Sequence, residues 1–253
     1  MRALKSIYVL ALVLTTCFYK SQINVVAKLD HVETDGIDTV GNIDLTVSGG
    51  NSPYNFTWSP ASNGNQEDFN NAPVGDYSVT VEDAWSNLIS YNYKLGYKTD
   101  WKDFYYCISR NDSLLPNGGP GSKTAVSKNV LKANENGWMQ IVYTSAFLGN
   151  CVGFLDSVIA GNQGQWYDID IMVHVTTGNA FYVGHSYNWY YVSTINNGDV
   201  LRIEKNNNNF YVKLNGTTVH TLTATKNIYQ VKGFINSGSI NDFGLSFKDT
   251  IRT

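Results

Sequence analysis

Apolar and polar residues alternate in short runs along most of this chain, and clusters of Gly, Asn, Asp and Pro cut the runs. Asn42-Ile43-Asp44-Leu45-Thr46-Val47 alternates strictly, Gly49-Gly50-Asn51-Ser52-Pro53 stops it, and Tyr54-Asn55-Phe56-Thr57-Trp58 resumes it. A period of two sends successive side chains to opposite faces of a strand, so each run predicts a strand with one face in a core. A run over residues 23–29 comes first. A polar stretch follows Trp58, and two more runs, 77–81 and 88–93, each emerge from a turn cluster. At least five strands within residues 23–95 is the scale of a small sandwich.

From residue 98 to 253 the same rhythm continues, with predicted strands at 103–109, 122–131, 137–143, 151–156, 167–175, 180–183, 189–195, 199–205, 209–214, 217–224, 228–235 and 240–247. No stretch carries a helical period. Short strands with frequent turns and no helices indicate a two-sheet sandwich of the jelly-roll kind. Asn215-Gly216 is a two-residue hairpin signal, because both central positions of that turn need positive φ. The Asn206–Asn209 run reads as a second hairpin loop. The fold class is therefore all-β, a small immunoglobulin-like sandwich followed by a larger one.

Composition agrees. Of 253 residues 43% are hydrophobic, enough for ordinary cores, while only 15% are charged and Tyr (17) and Gly (22) are plentiful. A net charge of -3 and a pI near 5.8 leave no basic stripe for phosphates, which excludes nucleic acid as the expected partner.

The first residues bear on compartment. Arg2 and Lys5 precede an apolar run over residues 7–14, followed by small and polar residues through Gln22, the pattern of a signal peptide over residues 1–22. The run is about half the ~20 residues that a bilayer span needs, so no membrane span is expected once it is removed. Removal leaves Cys107 and Cys151. In an oxidising compartment they form a disulfide candidate, with two separate buried thiols as the alternative.

The motifs of the first module resemble a known family. Gly49-Gly50-Asn51-Ser52-Pro53-Tyr54-Asn55-Phe56-Thr57-Trp58, then Gly75-Asp76-Tyr77-Ser78-Val79-Thr80-Val81-Glu82-Asp83, are similar to the SprB repeat of Bacteroidetes surface proteins. Trp85 and Ser86 stand where that family has Asn and Gly. The second module resembles the concanavalin-A-like sandwich domains of bacterial surface proteins, on Asn197-Gly198-Asp199-Val200-Leu201-Arg202-Ile203, Phe210 to Thr217 and Ile240-Asn241-Asp242-Phe243-Gly244-Leu245-Ser246-Phe247. The two resemblances imply a secreted or cell-surface protein, exterior to the outer membrane, whose role is binding or adhesion.

Candidate chemistry is sparse. Asp168 and Asp170 share a strand face, as glycosidase carboxylates do on this type of sandwich, but both Glu residues of that pattern are missing, so the polar face of a half-solvated strand is the preferred reading. No nucleophile elbow, zinc helix or phosphate loop occurs, and no cofactor is expected. The four His residues lack zinc spacing and no acidic loop suits calcium, so no metal is expected. The sequence thus predicts no enzyme. Carbohydrate suits it better, because sugar rings offer apolar faces to aromatics and hydroxyls to amides. The best cluster runs from Gly184 to Tyr191, with Tyr187, Asn188, Trp189 and Tyr191 as candidate ligand-binding residues and Trp166 as a second, loop-borne candidate. Alternation puts Trp189 and Tyr191 on one face and Tyr190 on the other. The alternative role is a structural or assembly component that packs against other surface proteins and takes no small ligand.

Overall fold

The computed structural model describes residues 22–33, 39–110, 113–119, 123–156, 169–185, 188–223, 228–241 and 243–247. The signal-peptide segment, Trp166, Asp168 and Tyr187 lie outside these described residues.

Strands β1 (Asn24–Asp30), β2 (Gly41–Ser48), β3 (Asn55–Ser59), β4 (Phe69–Ala72), β5 (Gly75–Glu82) and β6 (Leu88–Leu95) build the first sandwich. Its sheets are β1-β2-β4 and β3-β5-β6, all antiparallel. The strict alternation read from the sequence puts Val25, Leu29, Ile43, Leu45, Phe56, Trp58, Val79 and Val81 inside. Trp58 is a core residue, edge-on to Phe69 at 5.3 Å, and its indole N–H donates to the Gln66 carbonyl. Asp83 organises the β5–β6 turn by accepting from the backbone N–H groups of Asn51, Trp85 and Asn87. Ser86 in that turn has φ +58°, which explains why glycine suits the position. Strand β4 escaped the sequence reading because it lies in the polar run, with only Phe69 and Ala72 buried.

The second sandwich follows. It comprises β7 (Tyr97–Lys98), β8 (Trp101–Tyr105), β9 (Cys107–Arg110), β10 (Ser113–Pro116), β11 (Lys123–Ser127), β12 (Leu131–Lys132), β13 (Gly137–Val142) and β14 (Cys151–Asp156). It continues with β15 (Ile169–Thr176), β16 (Ala180–His185), β17 (Asn188–Thr194), β18 (Val200–Asn206) and β19 (Asn209–Leu214). It ends with β20 (Thr217–Thr223), β21 (Ile228–Ile235) and β22 (Gly244–Leu245). One sheet has the order β17-β16-β15-β14-β21-β11-β8, with β12 also on β21; the other is β20-β19-β18-β13-β22-β7. Between them lies a core that includes Phe154, Phe181, Phe210, Tyr229 and Phe247. Asn215 and Gly216 have φ +49° and +82°, the hairpin turn that the sequence signalled. The single strand expected over 103–109 is instead two, broken at Tyr106, whose φ is +49°. Likewise the closing run 240–247 shortens to Gly244–Leu245 plus a bridge from Ile240 to Leu114.

The two sandwiches share packing. Val142 and Val200 of the second join the core cluster of the first, and β7 bridges in parallel to Val32. The Gln140 amide donates to the Lys94 carbonyl at 3.1 Å. Gly198, at φ +93°, lets the backbones meet, since a Cβ there would lie 2.1 Å from the Val25 carbonyl oxygen.

The disulfide expectation is corrected. Cys107 and Cys151 are both buried free thiols. Cys107 points into the main core, where its thiol donates to the Thr124 carbonyl at 2.9 Å and burial pushes its pKa up to about 11. In β14, Val152 and Phe154 face that core, so Cys151 projects from the opposite face, beside Ile169, Met172 and Phe234. A sheet therefore separates the two sulfurs, which a disulfide cannot span.

Candidate functional site

The outer face of the eight-stranded sheet carries a depression of ≈ 520 Å³ on the side away from the core. Strand register explains its composition. Phe234 pairs with Cys151, Cys151 with His174, His174 with Tyr182, and Tyr182 with Tyr191. These residues form one straight row across β21, β14, β15, β16 and β17. At ~4.8 Å between strands the row is about 19 Å long. The next row on the same face runs Lys232, Gly153, Met172, Gly184, Trp189. Its glycines keep the floor low. Trp189 fills the space above Gly184, where a Cβ would come within 2.9 Å of the indole.

Trp189 is 38% exposed and leans on His174, with ring centroids 5.3 Å apart. Tyr191, 59% exposed, meets Tyr182 edge-on at 5.5 Å. Tyr190 faces the other way and lies 4.8 Å from His220 of the opposite sheet. The division of these aromatics between two faces is thus as alternation requires, and Asn188 is exposed at the start of the same strand. Thr176, Gly149 and Asn236 complete the lining on the side opposite Trp189.

His174 donates its Nδ1–H to the Asn150 carbonyl at 2.8 Å, which leaves Nε2 as an acceptor. Burial lowers its pKa, only partly offset by that hydrogen bond, so the ring is neutral at physiological pH. Asn150 is fully buried and shapes the rim. Its Oδ1 accepts from the backbone N–H groups of Asn236 and Ser237, and its Nδ2 donates to the carbonyls of Ala146 and Ser239. Burial raises the Cys151 thiol pKa despite the nearby Lys232 charge, so the sulfur on the floor stays a protonated, apolar surface.

The site therefore offers aromatic faces, a neutral ring acceptor, a hydroxyl and an exposed amide, with no charged side chain among the lining residues and the buried Lys232 one row away. Of the residues singled out in the sequence it unites Trp189 and, through Tyr182, Tyr191. Sequence reading missed His174, Tyr182, Phe234 and Asn236, because they become neighbours only through pairing. Of the acidic pair, Asp170 lies on β15 and its carbonyl accepts from His185 Nδ1. Among the described residues no group of His, Cys, Asp and Glu could hold a metal ion, and no helix is long and apolar enough to cross a membrane.

No protein-family model matches the chain, and no curated protein matches it. Among solved structures it is similar to the SPRY domain of human HERC1, at 14% identity over 60% of this chain and 96% of that one, with a TM-score of 0.37. A human SPRY domain aligns at 16% identity over 60% and 100%, with a TM-score of 0.42. The carbohydrate-binding module CBM66 of Bacillus subtilis aligns at 9% identity over 58% and 96%, with a TM-score of 0.38.

Proposed function

We propose that this protein is an exported cell-surface binding protein that takes carbohydrate in the depression on the outer face of its larger sandwich. The observation that carries this reading is the cross-strand row of aromatic and hydrogen-bonding side chains lining the depression, with Trp189 standing over Gly184. Stacked rings hold the C–H faces of a sugar, while Asn236, Thr176 and His174 Nε2 exchange hydrogen bonds with its hydroxyls. The volume suits a small oligosaccharide segment. The export pattern of residues 1–22 and the SprB-like motifs around Gly49–Trp58 and Gly75–Asp83 support a surface location. Binding without turnover fits the strand at Ile169–Thr176, which carries neither Glu of the glycosidase pattern.

The test is a glycan array and polysaccharide pull-down with the purified protein and a Trp189→Ala variant. Affinity in the variant is expected to fall at least tenfold, about 1.4 kcal/mol. Failure to bind any glycan, or equal binding by the variant, would sink the proposal.

A second reading, a component that docks on other surface proteins, is favoured by one feature. Phe104, Tyr105, Tyr106 and Ile108 are each at least 40% exposed on the β8–β9 corner, a concentration of apolar surface unusual for a lone sandwich. Cross-linking in intact cells that captures a protein through this corner would support it.

A further inference from the structure

Strand register divides the outer depression into an apolar end and two kinds of hydrogen-bonding group. Phe234 and Cys151 are cross-strand partners, both buried, and with Ile169 and Met172 they form a small apolar cluster of their own on this side of the sheet. His174 is the next residue of that row, paired with Cys151 at about 5 Å between Cα atoms. With its Nδ1 committed to the Asn150 carbonyl, its Nε2 is an acceptor without a partner among the described residues.

A second row borders the same apolar end. Asn236 and Thr176 come two residues after Phe234 and His174, and Gly149, two before Cys151, lies between them without a side chain. The Asn236 amide and the Thr176 hydroxyl line the depression, and neither side chain bonds to another described residue. An apolar floor thus meets an acceptor on one side and donors on another. A sugar hydroxyl in this corner would set its oxygen lone pairs against Cys151 and Phe234, which costs free energy. A secondary amide that ends in a methyl group satisfies all three: its N–H donates to His174 Nε2, its carbonyl accepts from Asn236 or Thr176, and its methyl covers the floor.

We infer that the depression selects sugars that carry an N-acetyl group, with the acetamido substituent seated between His174, Asn236 and the floor of Cys151 and Phe234 while the sugar ring stacks on Trp189. The inference rests on the carbohydrate reading and adds to it the substituent recognised. The placement of the aromatics suits this division, since Trp189 on β17 and Phe234 on β21 stand on either side of His174, and Trp189 leans on that ring with centroids 5.3 Å apart.

Calorimetric titration of the full chain compares each acetamido sugar with the sugar that has a hydroxyl in its place: triacetylchitotriose with cellotriose, and methyl N-acetylgalactosaminide with methyl galactoside. In at least one pair the acetamido member is expected to bind about tenfold tighter or better, and its N-glycolyl analogue, which puts a hydroxyl on the methyl, about tenfold weaker than the N-acetyl form. His174→Phe keeps a ring beside Trp189 and deletes the acceptor, so the preference should shrink toward parity while binding of the plain sugar, which also reports that the variant is folded, changes less. Absence of an acetamido preference in both pairs, tolerance of the N-glycolyl group, or an undiminished preference in His174→Phe overturns the inference, as does equally tight binding of an N-acetyl-lysine peptide. If plain hexoses bind as well or better, only this inference falls and the carbohydrate reading stands; if the glycan array is empty, both fall.

Discussion

Asn150 offers the sharpest test of how the candidate site is held. Its side chain makes four hydrogen bonds, two accepted from the backbone at Asn236 and Ser237 and two donated to the carbonyls of Ala146 and Ser239. Replacement by Ala strands all four backbone groups. The bond to Ser239 is buried, so its carbonyl bears a desolvation cost of about 1–3 kcal/mol, while the three partners nearer solvent each lose about 0.5–1.5 kcal/mol. Water can rescue part of this, and the expected loss is about 3–5 kcal/mol, a large fraction of the ~5–15 kcal/mol that holds a typical domain. Urea denaturation, fitted with a common m value, measures it. Asn150→Asp keeps the acceptor for Asn236 and Ser237 but sets a buried carboxylate oxygen against the carbonyls of Ala146 and Ser239, so it should cost at least as much as Ala. The rim should loosen in Ala, so hydrogen exchange at Asn236 and Ser237 should accelerate. A loss below 1 kcal/mol in Asn150→Ala, with unchanged exchange at the rim, would refute the assignment of Asn150 as the organiser of this loop.

Three further outcomes follow from the same geometry. Gly198→Ala puts a Cβ 2.1 Å from the Val25 carbonyl oxygen at a φ of +93°, so it should cost at least about 2 kcal/mol in urea denaturation and speed proteolysis at the seam. Burial lowers the pKa of His174 in the folded state below its unfolded value, so between the two values the unfolded chain binds more protons. Stability should therefore fall as pH drops from about 6.5 toward the folded pKa, and His174→Gln should flatten that part of a Tm–pH profile. With both thiols buried and unbridged, dithiothreitol should leave the Tm unchanged, and a thiol reagent should label Cys107 and Cys151 only after denaturant is added.

The strands were legible because burial on one face writes itself as alternation, and the Asn215-Gly216 hairpin because few residue pairs tolerate two positive φ values. The β4 strand was not, since Phe69 and Ala72 alone are buried in an otherwise polar stretch. Nor was the break at Tyr106, a left-handed residue that no turn cluster announces. At the site, Trp189 was visible as an aromatic in a strand. Its companions His174, Tyr182, Phe234 and Asn236 were not, since they are spread over more than sixty residues of chain and meet only because β21 lies against β14.

By itself, then, the sequence determined that the chain is all β, that it divides into a smaller and a larger sandwich, and which aromatics each strand carries. Those properties are local: a period of two and a turn dipeptide act within a few residues. The tertiary structure alone decided that Cys107 and Cys151 face opposite sides of a sheet, that five strands align one row of outward-facing side chains, and that Val142 and Val200 of the second sandwich join the core of the first. Parity along one strand says which residues share a face but not which face is wetted. That choice, and the neighbours across it, is made by sheet order and register, set by the packing of strands far apart in the chain.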